Sequence, residues 1–324
     1  MLYPLLFKPI FKEIIWGGSD ILKYKGLPVD MRKIGESWEL SNVDQNLSVI
    51  ANGPLAGKTI DILIQEYQAQ LLGNRVFMKT GFTFPLLIKF IDACEDLSIQ
   101  VHPNDHIAQE RHHLSGKTEM WYVVKTLPGA FLYSGFSQPV DADEFVRRVE
   151  TGTLMEVLKK YDVKAGDVFF LPAGRIHAIG AGCFITEIQQ TSDLTYRIYD
   201  YGRTDADGKV RKLHTELAKD AIDYTVCPDY KTSYHPVDNK ATTLVHCPYF
   251  TTNLLKVNKS IHRDFFSLDA FVIYICTKGK VVLKDNKDNT LTVQQGQTML
   301  IPADTQFVSI EPVQPSELLE TYIS

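Results

Sequence analysis

The sequence predicts a mainly β protein made of two β-barrel modules, the first of which carries a few helical inserts. Three observations lead to this fold class. Short apolar runs bounded by Gly and Pro recur along the chain, helical periodicity is confined to a few segments, and one strand-and-turn pattern occurs twice. The 324 residues correspond to about two domains. We place the boundary after the last helical segment, which gives domains of residues 1–235 and 236–324.

Three segments of the first domain have the apolar spacing of helices. Residues 59–72 carry apolar side chains at intervals of three and four, and Gly73 follows as a stop signal. Residues 141–161 begin with an acidic capping sequence and predict one helix, or two helices separated at Gly152. Residues 214–224 predict a third, short helix.

The remaining ordered segments are predicted strands. In the first domain they are residues 84–92, 97–102, 120–125, 130–133, 167–171 and 183–189. In the second domain they are residues 249–255, 270–276, 280–284, 290–293 and 298–302. Turn residues separate these runs, and residues 279–280 and 285–289 predict hairpin turns.

A repeated pattern relates the two domains. Gly166 and Gly296 are each followed by five residues, a Pro and an Ala, which predicts a turn, an apolar strand and a proline corner in each domain. We interpret the domains as copies of one module. Since His177 of the first copy corresponds to Phe307 of the second, the second domain is expected to lack metal ligands and to serve as a scaffold.

Composition and charge argue against several classes of function. The formal net charge is −5, from 34 Lys and Arg against 39 Asp and Glu, which disfavours binding to nucleic acid or to an anionic membrane. No apolar run approaches the roughly eighteen residues of a membrane span, and charges interrupt the apolar N-terminal run. Five cysteines without a Cys-x-x-Cys pair fit a reducing compartment. We therefore expect a cytoplasmic protein.

Side chains able to bind a metal lie on or beside three predicted strands. Because the side-chain period of a strand is two, Gln100 and His102 share one face, and Ser98 joins them. Lys117 and Glu119 share a face by the same rule.

His177 follows the proline corner of a third strand. The predicted four-point metal site consists of Gln100, His102, Glu119 and His177. Two imidazoles and one carboxylate suit either zinc as a Lewis acid or non-haem iron. Because a Gln-x-His pair often occurs by chance, ordinary surface or core positions are the alternative for these residues.

Six motifs follow one another along nearly the whole chain. They are GESWELS (35–41), PLLIKF (85–90), LSIQVHPND (97–105), GKTEMWY (116–122), residues 166–177 and EIQQTSDLTYRIYDY (187–201). In sequence and in order these motifs resemble those of the type I mannose-6-phosphate isomerases, specifically their short bacterial form. That family has a cupin fold. Gln100 stands where other cupins have a first histidine, and this departure favours the isomerases over cupin dioxygenases. We interpret Trp38 of the first motif as a core aromatic.

The resemblance implies a function for each predicted site residue. It assigns Gln100, His102, Glu119 and His177 as the ligands of one Zn²⁺ per chain, Arg197, Lys117 and Glu187 as catalytic residues, and Lys89, Ser98 and Asp193 as substrate-binding residues.

The implied reaction interconverts two small sugar phosphates, mannose 6-phosphate and fructose 6-phosphate, through a cis-enediol. In this hypothesis Arg197 stabilises the enediolate, and either Glu187 or Lys117 exchanges the carbon-bound proton. Lys89 has apolar neighbours and is expected to point inward, where it would anchor the phosphate with Ser98. A metal-dependent oxygenase and a non-catalytic sugar-binding cupin are the alternatives. The oligomeric state stays open between a monomer and a weak homodimer.

Overall fold

Short antiparallel strands form most of the ordered structure, in keeping with the many apolar runs bounded by Gly and Pro. The computed structural model describes residues 2–204 and 208–323. The strands are β1 (Leu5–Lys8), β2 (Ile10–Gly18), β3 (Ile34–Leu40), β4 (Asn42–Val43), β5 (Asn46–Leu47), β6 (Val49–Ile50), β7 (Leu86–Ala93), β8 (Ile99–Val101), β9 (Glu119–Thr126), β10 (Phe131–Phe136), β11 (Leu158–Asp162), β12 (Val168–Leu171), β13 (His177–Ile179), β14 (Cys183–Gln190), β15 (Tyr196–Tyr199), β16 (Ala241–His246), β17 (Thr251–Val257), β18 (Ile261–Asp264), β19 (Val272–Asp285), β20 (Thr290–Gln294), β21 (Thr298–Ile301) and β22 (Phe307–Tyr322). The helices are α1 (Asp20–Tyr24), α2 (Ile60–Leu72), α3 (Asn74–Thr80), α4 (Asp105–His112), α5 (Ala142–Glu150) and α6 (Thr215–Ala221), with a 3₁₀ turn at Leu154–Val157.

Two sheets from the first two thirds of the chain pack face to face. One has the strand order β12-β9-β14-β7-β2-β3, and the other has the order β11-β10-β13-β8-β15. Trp121 and Ile185 of the first sheet share a buried cluster with Leu132 and Ile179 of the second. The fold is mainly β, as predicted, and the strand pairing of the described residues gives open sheets rather than closed barrels.

The C-terminal strands form a third sheet that also includes strands from the start of the chain. Its path is β16-β17-β22-β19-β21-β1-β6, with β18 paired to β22 and β20 paired to β19. β1 joins this sheet through the pairing of Leu5 with Leu300. The division into residues 1–235 and 236–324 stays a prediction, and this sheet takes strands from both segments.

The repeated sequence pattern forms the same local structure twice. Gly166 and Gly296 have φ angles of 89° and 80°, which glycine adopts readily because it has no Cβ. Each glycine precedes a four-residue strand, β12 in one copy and β21 in the other. The next strand then begins at His177 in the first copy and at Phe307 in the second.

Two of the three predicted helices are confirmed over most of their length, and one prediction is partly wrong. α2 ends at Leu72 before Gly73, and α6 lies within residues 214–224. α5 ends at Glu150, but the predicted continuation to residue 161 is wrong, because Leu158–Asp162 form β11 and pair with β10. A short run in which apolar and polar residues alternate irregularly fits both the helical and the strand period. The sequence pattern alone therefore does not distinguish a helix from a strand here.

The sequence pattern does not predict α1, α3 and α4. The signal for α4 is an N-cap, because Asn104 Oδ1 accepts a hydrogen bond of 3.0 Å from the backbone N–H of Ile107. Among the described residues, no helix is long and apolar enough to cross a bilayer.

Gly279 requires a correction. It does not form a hairpin turn but lies inside β19, where its φ angle of 85° coincides with shifts in the register between β19 and β22. The glycine therefore accommodates an irregularity of the bulge type in one continuous strand. The predicted turn at residues 285–289 is confirmed, since the Asp285 N–H donates to the Asn289 carbonyl at 3.0 Å between β19 and β20.

Candidate metal centre and active site

Strand register brings the predicted site residues together between the two facing sheets. Gln100 is the direct register partner of both His177 and Arg197 in the five-stranded sheet. Lys89 and Glu187 are register partners in the six-stranded sheet. Directly paired residues project from the same face of a sheet, so each pair points into one space.

His102, Glu119 and His177 converge in the buried interior. Their exposed fractions are 2%, 0% and 1%, and one ligand atom from each lies within 4.8 Å of the others. Nε2 of His102 is 3.5 Å from Glu119 Oε2, and Nε2 of His177 is 3.4 Å from Glu119 Oε1. The Gln100 side-chain amide lies beside this group, 3.3 Å from His177 Nε2.

Backbone carbonyls fix the orientation of both imidazoles. Nδ1 of His102 lies 2.9 Å from the Leu194 carbonyl oxygen, and Nδ1 of His177 lies 2.8 Å from the Arg175 carbonyl oxygen. Since a carbonyl only accepts, each Nδ1 carries the proton and donates it. Burial lowers the pKa of His177 to about 4 and that of His102 well below its usual value, so both rings are neutral near pH 7. Each Nε2 therefore presents a lone pair to Glu119.

This donor set fits a divalent metal ion. Two nitrogen lone pairs that face a buried carboxylate repel it unless a positive charge lies nearby. Lys117 supplies one such charge beside Glu119 Oε2, but Glu119 Oε1 has no hydrogen-bond donor among the described residues. Carbonyl groups that hold the far nitrogen of a histidine are also typical of metal sites. Gln100 would supply a fourth ligand through its amide oxygen once the amide group, whose nitrogen faces His177 Nε2 in this structure, is turned by 180°.

Lys117 adds a positive charge at the edge of this group. Its Nζ is 2.7 Å from Glu119 Oε2, 3.1 Å from His102 Nε2 and 3.9 Å from Glu187 Oε1. Burial, together with the nearby Glu187 carboxylate, raises the pKa of Glu119 to about 7, although Lys117 acts in the opposite direction. A cation at the predicted metal site would keep Glu119 ionised.

Lys89 lies between two carboxylates. It is buried, as expected, with Nζ 3.2 Å from Glu187 Oε1 and 3.8 Å from Glu36 Oε2. Burial opposes its charged form, but Glu36 and Glu187 outweigh burial and raise the pKa of Lys89. Burial likewise opposes ionisation of Glu187, yet Lys117 and Lys89 lower its pKa to about 2. Glu187 is thus a carboxylate at neutral pH, and its Oε2 accepts the Trp121 indole N–H at 2.9 Å.

A cavity of about 210 Å³ lies beside the His and Glu cluster, since Gln100 and Lys117, which contact the cluster, line it. Seven predicted site residues line it, namely Lys89, Ser98, Gln100, Lys117, Glu187, Asp193 and Arg197. The other three, His102, Glu119 and His177, are more deeply buried. Arg197 is partly buried, and its Nη1 donates to the Lys212 carbonyl at 3.3 Å. Burial and the neighbouring Arg211 lower the pKa of Arg197, but a guanidinium stays charged in proteins.

Nine residues that the sequence analysis did not place in the site also line the cavity, among them Glu36, Trp38 and Arg211. Glu36 and Trp38 face it from β3, and the Trp38 indole N–H donates to Glu36 Oε2 at 2.6 Å. The interpretation of Trp38 as a core aromatic is therefore incomplete, because the same buried ring forms part of the cavity wall. Their spacing of two in GESWELS is the signal that could have identified them. Arg211 is the third, and it forms an ion pair of 2.5 Å with Asp200.

Comparison with known proteins is consistent with this geometry. The model for the type I phosphomannose isomerase catalytic domain matches residues 5–122, and the model for the mannose-6-phosphate isomerase cupin domain matches residues 240–313. Mannose-6-phosphate isomerase ManA of Bacillus subtilis (strain 168) is 40% identical over 306 residues, which cover 92% of this chain and 93% of that protein. The chain belongs to the type I mannose-6-phosphate isomerase family.

Further members of the isomerase family match over most of the chain. The mannose-6-phosphate isomerase of Streptococcus mutans is 34% identical over 284 residues, which are 87% of this chain and 88% of that protein. A crystal structure of a Bacillus subtilis mannose 6-phosphate isomerase superposes with a TM-score of 0.87 at 31% identity, covering 98% of this chain and 99% of that one. The expected family and cupin fold are confirmed.

Proposed function

We propose that this protein is a Zn²⁺-dependent isomerase that interconverts mannose 6-phosphate and fructose 6-phosphate through a cis-enediol. The observation that carries the proposal is the buried Glu119, which is faced by two imidazole lone pairs and lies 2.7 Å from Lys117 in the wall of a cavity that Lys89 and Arg197 also line. Family membership supports the same substrates, because the relatives are named for mannose 6-phosphate. The proposal includes one ion per chain, a cytoplasmic location and a monomer or weak homodimer.

The reaction moves a proton between C1 and C2 of the sugar and develops negative charge on the oxygens of an enediolate. A bound divalent ion would supply Lewis-acid stabilisation of that charge. The residues that would hold it are Gln100, His102, Glu119 and His177. Lys117 and Arg197 place two further positive charges at the cavity, where they would stabilise the same oxyanion.

We assign the exchange of the carbon-bound proton to Glu187. It is ionised at neutral pH and it lines the cavity, whereas Lys117 is held 2.7 Å from Glu119. An ionised carboxylate at the cavity can accept a proton from the substrate. Lys117 is the alternative acceptor.

A coupled assay on purified protein, with bound metal quantified in the same sample, tests the proposal. Fructose 6-phosphate should form from mannose 6-phosphate, cease to form after treatment with EDTA and form again when Zn²⁺ is restored. Glu187→Gln should retain bound zinc but lower kcat by about 10²-fold or more, since it removes the proton acceptor.

Four results would contradict parts of this proposal. Activity that survives complete removal of metal rules out the metal dependence. Bound iron together with oxygen consumption would favour the oxygenase alternative, and binding of sugar phosphate without turnover would favour a non-catalytic cupin. A Glu187→Gln enzyme with an unchanged kcat would assign the proton transfer to Lys117.

A further inference from the structure

One loop links the three segments that carry the buried metal-binding residues. We call residues 172–175, between β12 and β13, the metal-site loop. The Gly174 N–H donates to the backbone carbonyl of His102 at 2.8 Å, and the Ala173 N–H donates to Thr118 Oγ1, beside Glu119, at 3.2 Å. The Arg175 carbonyl accepts the Nδ1–H of His177 at 2.8 Å. A displacement of this loop would therefore disturb all three segments.

The outer side of the loop is held by the segment that follows α6. The Asp223 N–H donates to the Gly174 carbonyl at 2.8 Å. The guanidinium carbon of Arg175 lies 4.3 Å from the ring centroid of Tyr230, which is a stacking distance. Arg175 is only 9% exposed, and its Nε has no hydrogen-bond partner among the described residues. The ring of Tyr230 is thus a principal contact that locates the Arg175 side chain.

Tyr230 is itself held rigidly. It is 6% exposed, and its hydroxyl donates to the Phe136 carbonyl at 3.1 Å while accepting the Cys227 N–H at 3.0 Å. Its ring packs against Gly135, where an added Cβ would come within 2.2 Å of the ring. Neither Arg175 nor Tyr230 lines the substrate cavity.

We propose that Arg175 and Tyr230 are positioning residues for the metal centre. The stacked pair holds the metal-site loop, and the loop carbonyl holds His177 with Nε2 directed at Glu119. This inference rests on the proposed metal dependence. Groups that orient a metal-binding histidine typically change metal affinity by about 10–100-fold when they are removed.

The test is the dissociation constant for Zn²⁺, measured on metal-stripped full-length protein by competition with a chromophoric chelator. Tyr230→Leu and Arg175→Met should each weaken zinc binding about tenfold or more. Tyr230→Phe retains the ring and should bind zinc within about twofold of the original protein.

Lys160→Ala is the matched control. Like Arg175, Lys160 lies over an aromatic ring, in this case Phe131 of the five-stranded sheet, with Nζ 3.9 Å from the ring centroid. The structure shows no contact between Lys160 and the metal-site loop. Its removal should leave the zinc dissociation constant unchanged. Thermal unfolding with and without zinc should show a smaller zinc-induced rise in Tm for Tyr230→Leu and Arg175→Met than for Lys160→Ala.

The outcomes separate this inference from the proposed function. If the original protein binds zinc and both disruptive variants bind it equally well, the positioning inference is overturned, even if those variants melt at a lower temperature. If the original protein binds no zinc, the metal centre and this inference fail together. If Tyr230→Leu does not fold, the dissociation constants for Zn²⁺ of Arg175→Met and Arg175→Lys test the positioning inference instead.

Discussion

At the scale of single residues, the chemistry of the site depends on buried charges that neutralise one another. Glu36, Lys89, Glu187, Lys117 and Glu119 alternate in sign, and each contact between neighbours is 3.9 Å or less. Two lysines against three carboxylates leave a formal charge of −1 in this chain of contacts. A divalent cation would change the sum to +1, which suits a cavity that receives a sugar phosphate.

Lys89 provides a test of how this chain of charges works. We expect Lys89→Met to raise KM for mannose 6-phosphate more than it lowers kcat, because Lys89 and Ser98 are the predicted phosphate anchor. The same change should raise the pKa of Glu187, since Lys89 is one of the two cations that lower it to about 2. A carboxylate is active above its pKa, so the acid limb of the kcat/KM profile should move to higher pH.

The pH profile and the two kinetic constants separate the two effects of Lys89. Unphosphorylated mannose is the control substrate. An equal loss of kcat/KM on mannose and on mannose 6-phosphate would argue against the phosphate anchor. An unmoved acid limb would show that Glu187 does not need Lys89 to remain ionised.

At the scale of elements, the sequence predicts strands well where the apolar run is long and poorly where the run is short or polar. β7 and β14 are buried throughout and were both predicted to within about two residues. β11 is not predicted because its pattern is ambiguous, and α1 is not predicted because five residues are too few to show a helical period. A glycine at position 279 is compatible with a turn or with a bulge, and only the pairing with the neighbouring strand β22 distinguishes the two.

The candidate site likewise contains residues that a local sequence pattern marks and residues that it does not mark. Gln100, His102, Glu119 and His177 could be predicted because a two-residue period and an ordered set of motifs mark them. Glu36 and Arg211 could not, because their place at the cavity depends on how β3 and the segment after β15 pack against other elements. The contacts of Arg175 with Tyr230 join residues 55 positions apart, so no local pattern reports them.

β10 carries a glycine whose replacement tests the packing beside the metal site. Gly135 has a φ angle of 71°, and a Cβ there would lie 2.2 Å from the Tyr230 ring. Gly135→Ala should therefore destabilise the protein clearly more than Gly152→Ala, where φ is 69° and no atom lies within 4 Å of the added Cβ. The control carries only the backbone cost of about 1–2 kcal/mol.

Urea denaturation of the two alanine variants measures this difference. Equal losses in the free energy of unfolding would mean that Tyr230 moves aside without cost, contrary to the tight packing described above. Gly135→Ala should also weaken zinc binding, because it displaces the ring that supports Arg175.

At the scale of the whole molecule, a buried ion pair connects the start of the chain with the C-terminal sheet. Lys25 and Glu39 are 8% and 3% exposed, and their charged atoms lie 2.8 Å apart. Lys25 also donates a hydrogen bond to the Gly296 carbonyl at the start of the second repeat. Glu39 lies on β3, which also carries Glu36 and Trp38, so this connection lies directly behind one wall of the cavity.

Breaking this pair should cost far more than breaking an exposed pair. Glu39→Ala leaves Lys25 buried without its partner and should lower the free energy of unfolding by about 3–5 kcal/mol. Glu66→Ala is the control, since Glu66 pairs with Lys58 at 2.6 Å but both side chains are about 40% exposed, and it should cost about 1 kcal/mol or less. Chemical denaturation measures both, and similar losses would contradict a structural role for the buried pair.

The pairing of β1 with β21 has a consequence for the order in which the protein is made. Leu5 leaves the ribosome before its partner Leu300, which lies almost 300 residues farther along the chain. At synthesis rates of about 5–20 residues per second, β1 exists for at least about 15 seconds before its partner strand β21 has been synthesised. The nascent chain must keep this apolar strand from pairing elsewhere until β21 has been synthesised, and the third sheet can form completely only after that.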